Sequence, residues 1–461
     1  MKIGQKLKLF DPSTSEIFRE LPHHSWEEVK AQLKTAGQAE KKWKHSSINS
    51  RTQLVQNAMD YFRDNSESIA QDITMQMGKP IKEARNEVRG MIHRSETLCE
   101  LAGDALSDIS PPKLEGFQRF IRREPLGVVL DIAAWNYPLL IAVNVVVPAL
   151  LAGNAVAIKH SSLTPLCAIA FEDAFRHAGT PDGLVTAIIL DHQDTKSIIQ
   201  SGLIHHVAFT GSVAGGRRIH TSASGRFMDV GLELGGKDPA YVREDANLES
   251  SVPGVMDGVF YNAGQSCCAV ERIYVHESLF DIFVEGAVSF MNKLKIGDSL
   301  DDTTDLGPLA QKSGIKTIEN QLNDAADKGA IILTHPGPMP NGENYILPTI
   351  LRNVNHDMEI MMEETFGPIV GIMAVKSDEE AIQLMNDNPY GLTASVWTND
   401  AEKALEIGRR IETGTFFMNR CDFLDPALPW VGVKDSGRGC TLSSLGLQQL
   451  TRPKSYHLKL T

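Results

Sequence analysis

From Gly127 onward the chain alternates short apolar runs with segments long enough for a helix, and no other feature of the sequence restricts its fold as much. The runs are 127–132, 155–158, 184–190 and 206–209. Strands that alternate with helices imply a parallel sheet covered on both faces, the doubly wound layout of nucleotide-binding proteins. After Glu233 a second series of this kind begins, with strand candidates 272–275, 331–333, 370–375 and 394–397 and helix candidates 277–293 and 377–386. Upstream, residues 25–105 are charged and amphipathic, with Leu54, Ala58, Tyr61 and Phe62 at helical spacing, and read as long helices. A chain of 461 residues is too long for one ordinary domain, so two α/β domains are the expectation.

Chemistry enters at Tyr261-Asn-Ala-Gly-Gln-Ser-Cys267-Cys268, a Gly-containing turn that presents thiols in a chain with only six cysteines. The turn reads as a nucleophile site, although the residues alone do not choose between the two thiols. Upstream, Leu232-Glu-Leu-Gly-Gly-Lys237 offers the carboxylate of Glu233 beside a flexible Gly-Gly. A strand over 230–234 places Glu233 at the C-terminal edge of a sheet, where ligands bind in open α/β folds. Phe209-Thr-Gly-Ser-Val-Ala-Gly-Gly216 follows a strand and should open a helix whose N-terminus favours an anion; its spacing is not G-x-G-x-x-G, and a plain tight turn fits it equally.

Several classes are excluded. A net charge of -13 argues against a nucleic-acid binder, which needs a basic face. The cysteines show no zinc-type pairs and are few for a disulfide framework, so no metal centre is expected and a reducing cytoplasm fits best. Residues 1–10 lack the apolar core of a secretory signal. The apolar stretch 138–153 falls short of the roughly 20 residues a membrane span requires and is interrupted by Asn144 and Pro148, so it reads as a buried helix.

Seven segments in order resemble the aldehyde dehydrogenase superfamily: Glu124-Pro-Leu-Gly-Val-Val, Ala134-Trp-Asn-Tyr-Pro138, Ala152-Gly-Asn-Ala-Val-Ala-Ile-Lys159, Phe209-Thr-Gly-Ser212, Leu232-Glu-Leu-Gly-Gly-Lys237, Gly264-Gln-Ser-Cys267 and Glu364-Thr-Phe-Gly-Pro368. The likeness continues through Asn388-Pro-Tyr-Gly-Leu392 and Gly432-Val-Lys-Asp-Ser-Gly437. It implies oxidation of an aldehyde to a carboxylic acid, with Cys267 as the nucleophile that forms a thiohemiacetal and then a thioester. Asn136, with the Cys267 backbone N–H, would stabilise the oxyanion, and Glu233 would activate the hydrolytic water. Trp135, Lys159, Ser162, Gly211, Ser212, Glu364 and Phe366 correspond to the NAD(P) site. The resemblance further implies a dinucleotide-binding domain over 1–110 and 126–234, a catalytic domain over 235–438, and a β oligomerisation element over 111–125 and 439–461 that builds a homodimer or homotetramer. Strands 117–123 and 455–460 would form that element, since exposed strands need a partner.

Three departures from the family pattern alter what is expected. Ser162 stands where a Glu often binds the ribose of NAD, so NADP should be tolerated or preferred. His160 beside it is expected as an uncharged filler. Val145 and Thr441 stand where many members carry a Lys and a Glu that assist the general base, so Glu233 should work without charged partners. Asn144 replaces an Arg common in succinate-semialdehyde dehydrogenases, which favours an uncharged aliphatic or aromatic aldehyde, unless Arg420 or an Arg from elsewhere supplies the charge. Tyr137, Phe423 and Trp430 are the expected walls of the substrate channel. Cys268 is expected as a buried neighbour of the nucleophile, with a reversible Cys267–Cys268 disulfide as its one chemical role. Succinate semialdehyde remains the alternative substrate. A CoA-acylating relative is disfavoured by Glu233, and an inactive structural protein of the crystallin kind by the joint presence of Cys267, Glu233 and Asn136.

Overall fold

A computed structural model of the chain describes residues 6–460. Residues 1–5, where the reading of the N-terminus began, and Thr461, the last residue of the expected oligomerisation element, lie outside the described residues.

A hairpin of Lys6–Phe10 and Ile17–Pro22 precedes four helices, Trp26–Trp43, Ile48–Asp64, Ser66–Met77 and Ile81–Ala105, in the region whose periodicity predicts helices. The first begins with a capping box, in which Ser25 Oγ takes the Glu28 N–H while the Glu28 carboxylate takes the Ser25 N–H, so two orphan donors are satisfied at once. Ile81–Ala105 buries Ile81, Ala84, Val88, Met91, Leu98 and Ala102 along one stripe, and Glu83, Glu87 and Arg94 are buried with them.

The first sheet has six strands in the order Gly437–Arg438, Val230–Glu233, His206–Thr210, Val128–Ile132, Ala155–Ile158 and Val185–Ala187. All pairs are parallel except the outermost, where Gly437–Arg438 runs antiparallel to Val230–Glu233. The apolar run 184–190 yields only the three-residue strand Val185–Ala187, because an edge strand has a partner on one side only. The apolar stretch forms the helix Pro138–Ala152, buried along almost its whole length. No helix among the described residues is long and apolar enough to cross a membrane.

The second sheet has seven strands in the order Ile331–Thr334, Thr349–Arg352, Ile369–Val375, Val270–His276, Asp238–Val242, Thr393–Trp397 and Thr415–Met418, parallel but for the first pair. The strand Asp238–Val242 was not among the sequence candidates, for Pro239 lacks an N–H and speaks against a central strand. The register irregularity between Val270 and Arg272 falls opposite Pro239, so the missing donor coincides with a break in the ladder. Between Glu233 and Asp238 the chain passes from one sheet to the other in four residues, Leu234-Gly-Gly-Lys237.

Phe117–Pro125 and Thr451–Lys459 form a separate two-stranded antiparallel ribbon in register from end to end, longer than the two segments expected from sequence. Phe120 stacks on Tyr456 at 4.5 Å and Phe117 on His457 at 4.9 Å between ring centroids.

Candidate active site

The Gly-Gly of the crossing segment lets three parts of the chain meet. A Cβ on Gly236 would lie 2.4 Å from the backbone oxygen of Cys267, and one on Gly235 would lie 2.3 Å from Glu364 Oε1, so neither position has room for a side chain. In the turn before Cys267, Asn262 and Ala263 both take φ of 54° and Gly264 takes 70°, with Gly264 packed against the Gly367 carbonyl. The strained turn is held by hydrogen bonds. Asn262 N–H donates to Glu83 Oε2 at 3.0 Å, and Asn262 Nδ2 donates to the carbonyls of Asn136 and Gln265 at 3.1 Å each.

Cys267 is partly exposed, whereas Cys268 is buried, and all six cysteines are free thiols. Cys268 is more than an apolar filler, because its thiol donates to Asp422 Oδ1 at 2.9 Å, and Ser266 Oγ donates to the same oxygen at 2.9 Å. The hydrogen bond with the Cys267 thiol, burial and the charge of Asp422, in that order, hold the Cys268 thiol well above its ordinary range. Such a thiol is a poor nucleophile.

Glu233 is partly buried and makes no ion pair among the described residues. It is not without partners: Thr441 Oγ1 donates to Oε1 at 2.5 Å and Thr210 Oγ1 to Oε2 at 3.2 Å. Burial raises its pKa, opposed by those two hydroxyls and by the charge of Arg94. Thr441, entered in the sequence reading only as the loss of a charged partner, therefore supplies a neutral donor in its place.

Asn136 is 3 % exposed and its carboxamide has no partner among the described residues. It does not cap the helix that follows, since Pro138–Ala152 has no side-chain cap. Its N-terminal amides are taken instead by Glu87, whose Oε1 accepts from Leu139 N at 2.8 Å and Leu140 N at 3.3 Å. The Asn136 carbonyl accepts from Lys79 Nζ at 2.8 Å, and the same buried ammonium is paired with Glu87 and lies 4.0 Å from the centre of the Tyr137 ring. A cation and Asn262 thus fix the Asn136 backbone while its side chain is left free.

Cys267, Glu233, Tyr137, Asn144, Phe423 and Trp430 open onto one cavity of about 330 Å³. Arg420, considered from sequence as a source of positive charge, is not part of its lining; its guanidinium stacks 3.3 Å from the centre of the Phe423 ring on the exposed side. Asn144 does line the cavity, but its Oδ1 accepts from Arg94 Nη1 at 2.8 Å, so a cation reaches this wall from the helix Ile81–Ala105.

A groove of about 1350 Å³ lies over the C-terminal edge of the first sheet and contains Trp135, Lys159, Ser162, Gly211 and Ser212. Five cationic side chains line it, Lys159, Lys196, Arg217, Arg218 and Lys312, and no carboxylate does among the described residues. Lys159 is 2 % exposed, and burial lowers its pKa to about 8, opposed by the charge of Asp191. Ser212 caps the helix Val213–Ala223 by accepting from Gly215 N–H, leaving the other first-turn amides toward the groove. Cβ atoms at Gly211 and Gly215 would lie 2.8 and 2.7 Å from the Phe209 ring. His160 is buried, bonded to the Pro138 carbonyl and Thr164, and burial lowers its pKa to about 3, so it carries no charge toward the groove. Phe366 meets Trp135 edge to face at 5.4 Å and is held at φ 55° by Glu271, whose two oxygens accept from Thr365 N and Phe366 N while Lys237 neutralises it. Glu364 accepts from Gly236 N–H at 3.1 Å, and burial raises its pKa to about 8. Arg217 and Lys312 are paired with Asp435 and Glu343, and the remaining cations, the helix N-terminal amides and a lining without a carboxylate among the described residues suit an anionic dinucleotide.

Residues 2–456 match the model of the aldehyde dehydrogenase family. The chain belongs to that family. It is 35 % identical over 449 residues to an aldehyde dehydrogenase of Paenarthrobacter nicotinovorans, covering 96 % of this chain and 98 % of the relative. To the succinate-semialdehyde dehydrogenase [NADP(+)] of Deinococcus radiodurans it is 32 % identical over 450 residues, covering 96 % and 93 %. The crystal structure of the Streptococcus pyogenes succinic semialdehyde dehydrogenase in complex with NADP+ superposes with a TM-score of 0.94 at 28 % identity, covering 98 % of this chain and 99 % of that one. This aldehyde dehydrogenase is therefore an NAD(P)-dependent oxidoreductase that converts aldehydes to acids.

Four polar residues of this aldehyde dehydrogenase's substrate side escaped the sequence reading: Arg94, Asp422, Thr210 and Lys79. Three had no local signature. Arg94 had one, because a charge at the spacing of the apolar stripe Ala84, Val88, Met91 and Leu98 is a cation pointed inward.

Proposed function

We propose that Cys267 is the nucleophile and that its thiolate adds to the aldehyde carbon to give a thiohemiacetal. The reading is carried by one arrangement: a partly exposed thiol and a carboxylate without an ion pair among the described residues open onto the same cavity, whose lining includes Tyr137, the residue after Asn136. The oxyanion takes hydrogen bonds from Asn136 Nδ2 and from the backbone N–H of Cys267, which donates to no oxygen among the described residues. Bound nicotinamide supplies the hydride acceptor. Cys267 is then left as a thioester, and Glu233 removes a proton from the water that hydrolyses it, once the carboxylate turns from Thr441 toward the cavity. Lys79 and Asn262 keep the Asn136 backbone in place through its carbonyl.

Lys159, Ser162 and the amides after Ser212 hold the cofactor, with Glu364 on its nicotinamide ribose and Phe366 against the ring. The cationic lining and the absence of a carboxylate at Ser162 support NADP over NAD. Tyr137, Phe423 and Trp430 surround the stem of the aldehyde and suit aliphatic or aromatic carbon there, whatever group the far end carries. Succinate semialdehyde is a second reading, favoured by the cation at Arg94. We divide the chain into a cofactor domain around the six-stranded sheet, a catalytic domain around the seven-stranded one, and an oligomerisation ribbon, bridged on one side by Ile109 and open along Thr451–Lys459 among the described residues, whose open edge calls for a partner subunit in a cytoplasmic homo-oligomer. The test is reduction of NADP by the purified protein with a panel of aldehydes, repeated for Cys267→Ala and Cys268→Ala. Loss of turnover in the first and retention in the second is the expected result, and the opposite pattern overturns the assignment of the nucleophile.

A further inference from the structure

One cation in the substrate cavity has no part in the thioester chemistry. Arg94 is 7 % exposed, yet its guanidinium is bonded through Nη1 alone, to Leu140 O and Asn144 Oδ1 at 2.8 Å each. Both acceptors are neutral. Nε and Nη2 donate to no atom among the described residues, and Arg94 lines the same cavity as Cys267. The carboxylates whose fields reach it are engaged elsewhere. Glu87 is paired with Lys79 and accepts from Leu139 and Leu140, while Glu233 accepts from Thr441 and Thr210. Burial lowers the pKa of Arg94 to about 10, opposed by Glu233, Glu87 and Cys268, which leaves it cationic at neutral pH.

A buried guanidinium without a counter-ion is costly, and an anion brought by a ligand offsets that cost. A role confined to tying the helix Ile81–Ala105 to Pro138–Ala152 accounts for Nη1 and leaves two nitrogens facing the cavity. Those two form a planar fork that matches the two oxygens of a carboxylate.

We propose that Arg94, oriented by Asn144, binds a carboxylate at the far end of the aldehyde, so that short ω-carboxylate aldehydes are preferred over uncharged aldehydes of the same length. The stem of such a substrate lies between Tyr137, Phe423 and Trp430, and its aldehyde carbon reaches Cys267. The proposal rests on the reading of Cys267 as the nucleophile. It also explains why Asn suffices at position 144, since the cation comes from the neighbouring helix and the amide oxygen aims it.

The test compares kcat and KM for succinate semialdehyde, butanal and 4-aminobutanal at saturating NADP. In the unmodified enzyme kcat/KM for succinate semialdehyde exceeds that for butanal by about tenfold or more, with 4-aminobutanal lowest. In Arg94→Gln the ratio of succinate semialdehyde to butanal falls about 100-fold, mainly through the KM of the acid-tailed substrate. Asn144→Asp, which gives Arg94 an internal counter-ion without removing a buried charge, lowers the same ratio and serves if the first variant fails to fold. A wild-type preference for butanal overturns the anchor, as does a fall in kcat for all three aldehydes in equal proportion in Arg94→Gln, which would make Arg94 an electrostatic partner of Glu233 or the thiolate. Absence of turnover with every aldehyde overturns the reading of Cys267 and the anchor with it, whereas turnover of butanal without an acid preference overturns the anchor alone.

Discussion

Thr441→Val isolates the one hydroxyl that most closely governs the proposed base. The change keeps the size of the side chain and the backbone pairing with Trp430, in which each N–H donates to the other's carbonyl at 2.9 and 3.0 Å, but removes the 2.5 Å donor to Glu233 Oε1. A hydrogen bond to a charged acceptor is worth about 1.5–3 kcal/mol, and one pKa unit is about 1.4 kcal/mol, so the carboxyl of Glu233 should titrate about 1–2 units higher in the variant. Burial already raises that pKa and the Thr441 hydroxyl opposes the rise, so loss of the donor acts in the same direction as burial. Glu233 must be ionised to activate water. The acid limb of the deacylation rate therefore moves to higher pH by the same amount. Acylating Cys267 with p-nitrophenyl acetate and following release of the acetyl group from pH 5 to 9 reads this step without the cofactor. Thr441→Ser should retain the original profile. An acid limb that stays in place or moves down in Thr441→Val, with the thermal midpoint unchanged, refutes the role given to the hydroxyl.

Ser162→Glu sets a carboxylate in a groove lined by none among the described residues and should weaken NADPH binding about 100-fold while weakening NADH far less, as read by titration of the bound cofactor's fluorescence. Lys79→Met leaves Glu87 buried without its cation and should cost about 3–5 kcal/mol in urea unfolding; it should also lower kcat, because the Asn136 carbonyl loses a donor. Glu83 is a carboxyl whose folded pKa is raised by burial to about 8 from the ordinary 4.5, so its contribution to stability is complete below about 4.5 and is lost as the pH rises to 8. Glu83→Gln, which can still accept from Asn262, should flatten the decline of stability between pH 5 and 8, and an unchanged slope would show that Glu83 does not titrate there.

The sequence exposed what depends on local pattern. The apolar runs became strands of both sheets, and the stretch 138–153 became a helix because an apolar segment of that length with Pro at its start has few other solutions. Asp238–Val242 and Thr415–Met418 stayed hidden, the first by Pro239 and the second by its partial burial at a sheet edge. The residues that line the cavity beside Cys267 were legible where a motif carried them. Thr210, Arg94 and Asp422 act through neighbours 23, 50 and 154 residues away, and no one-dimensional spacing encodes such a meeting. Asn144 shows the difference most clearly: position 144 carries no charge of its own, while the cation that meets its amide oxygen stands on another helix.

The antiparallel pairing of Gly437–Arg438 with the end of Val230–Glu233 has a consequence for the order of events during synthesis. The strand that carries the proposed base acquires its outer neighbour, and the base its Thr441 donor, only from residues about 208 positions downstream, and the second strand of the ribbon follows them. Contacts this distant in sequence form late. A nascent chain with its cysteine turn already translated thus lacks the hydroxyl that steadies Glu233 and the strand that pairs with Phe117–Pro125 until residues 437–459 have followed.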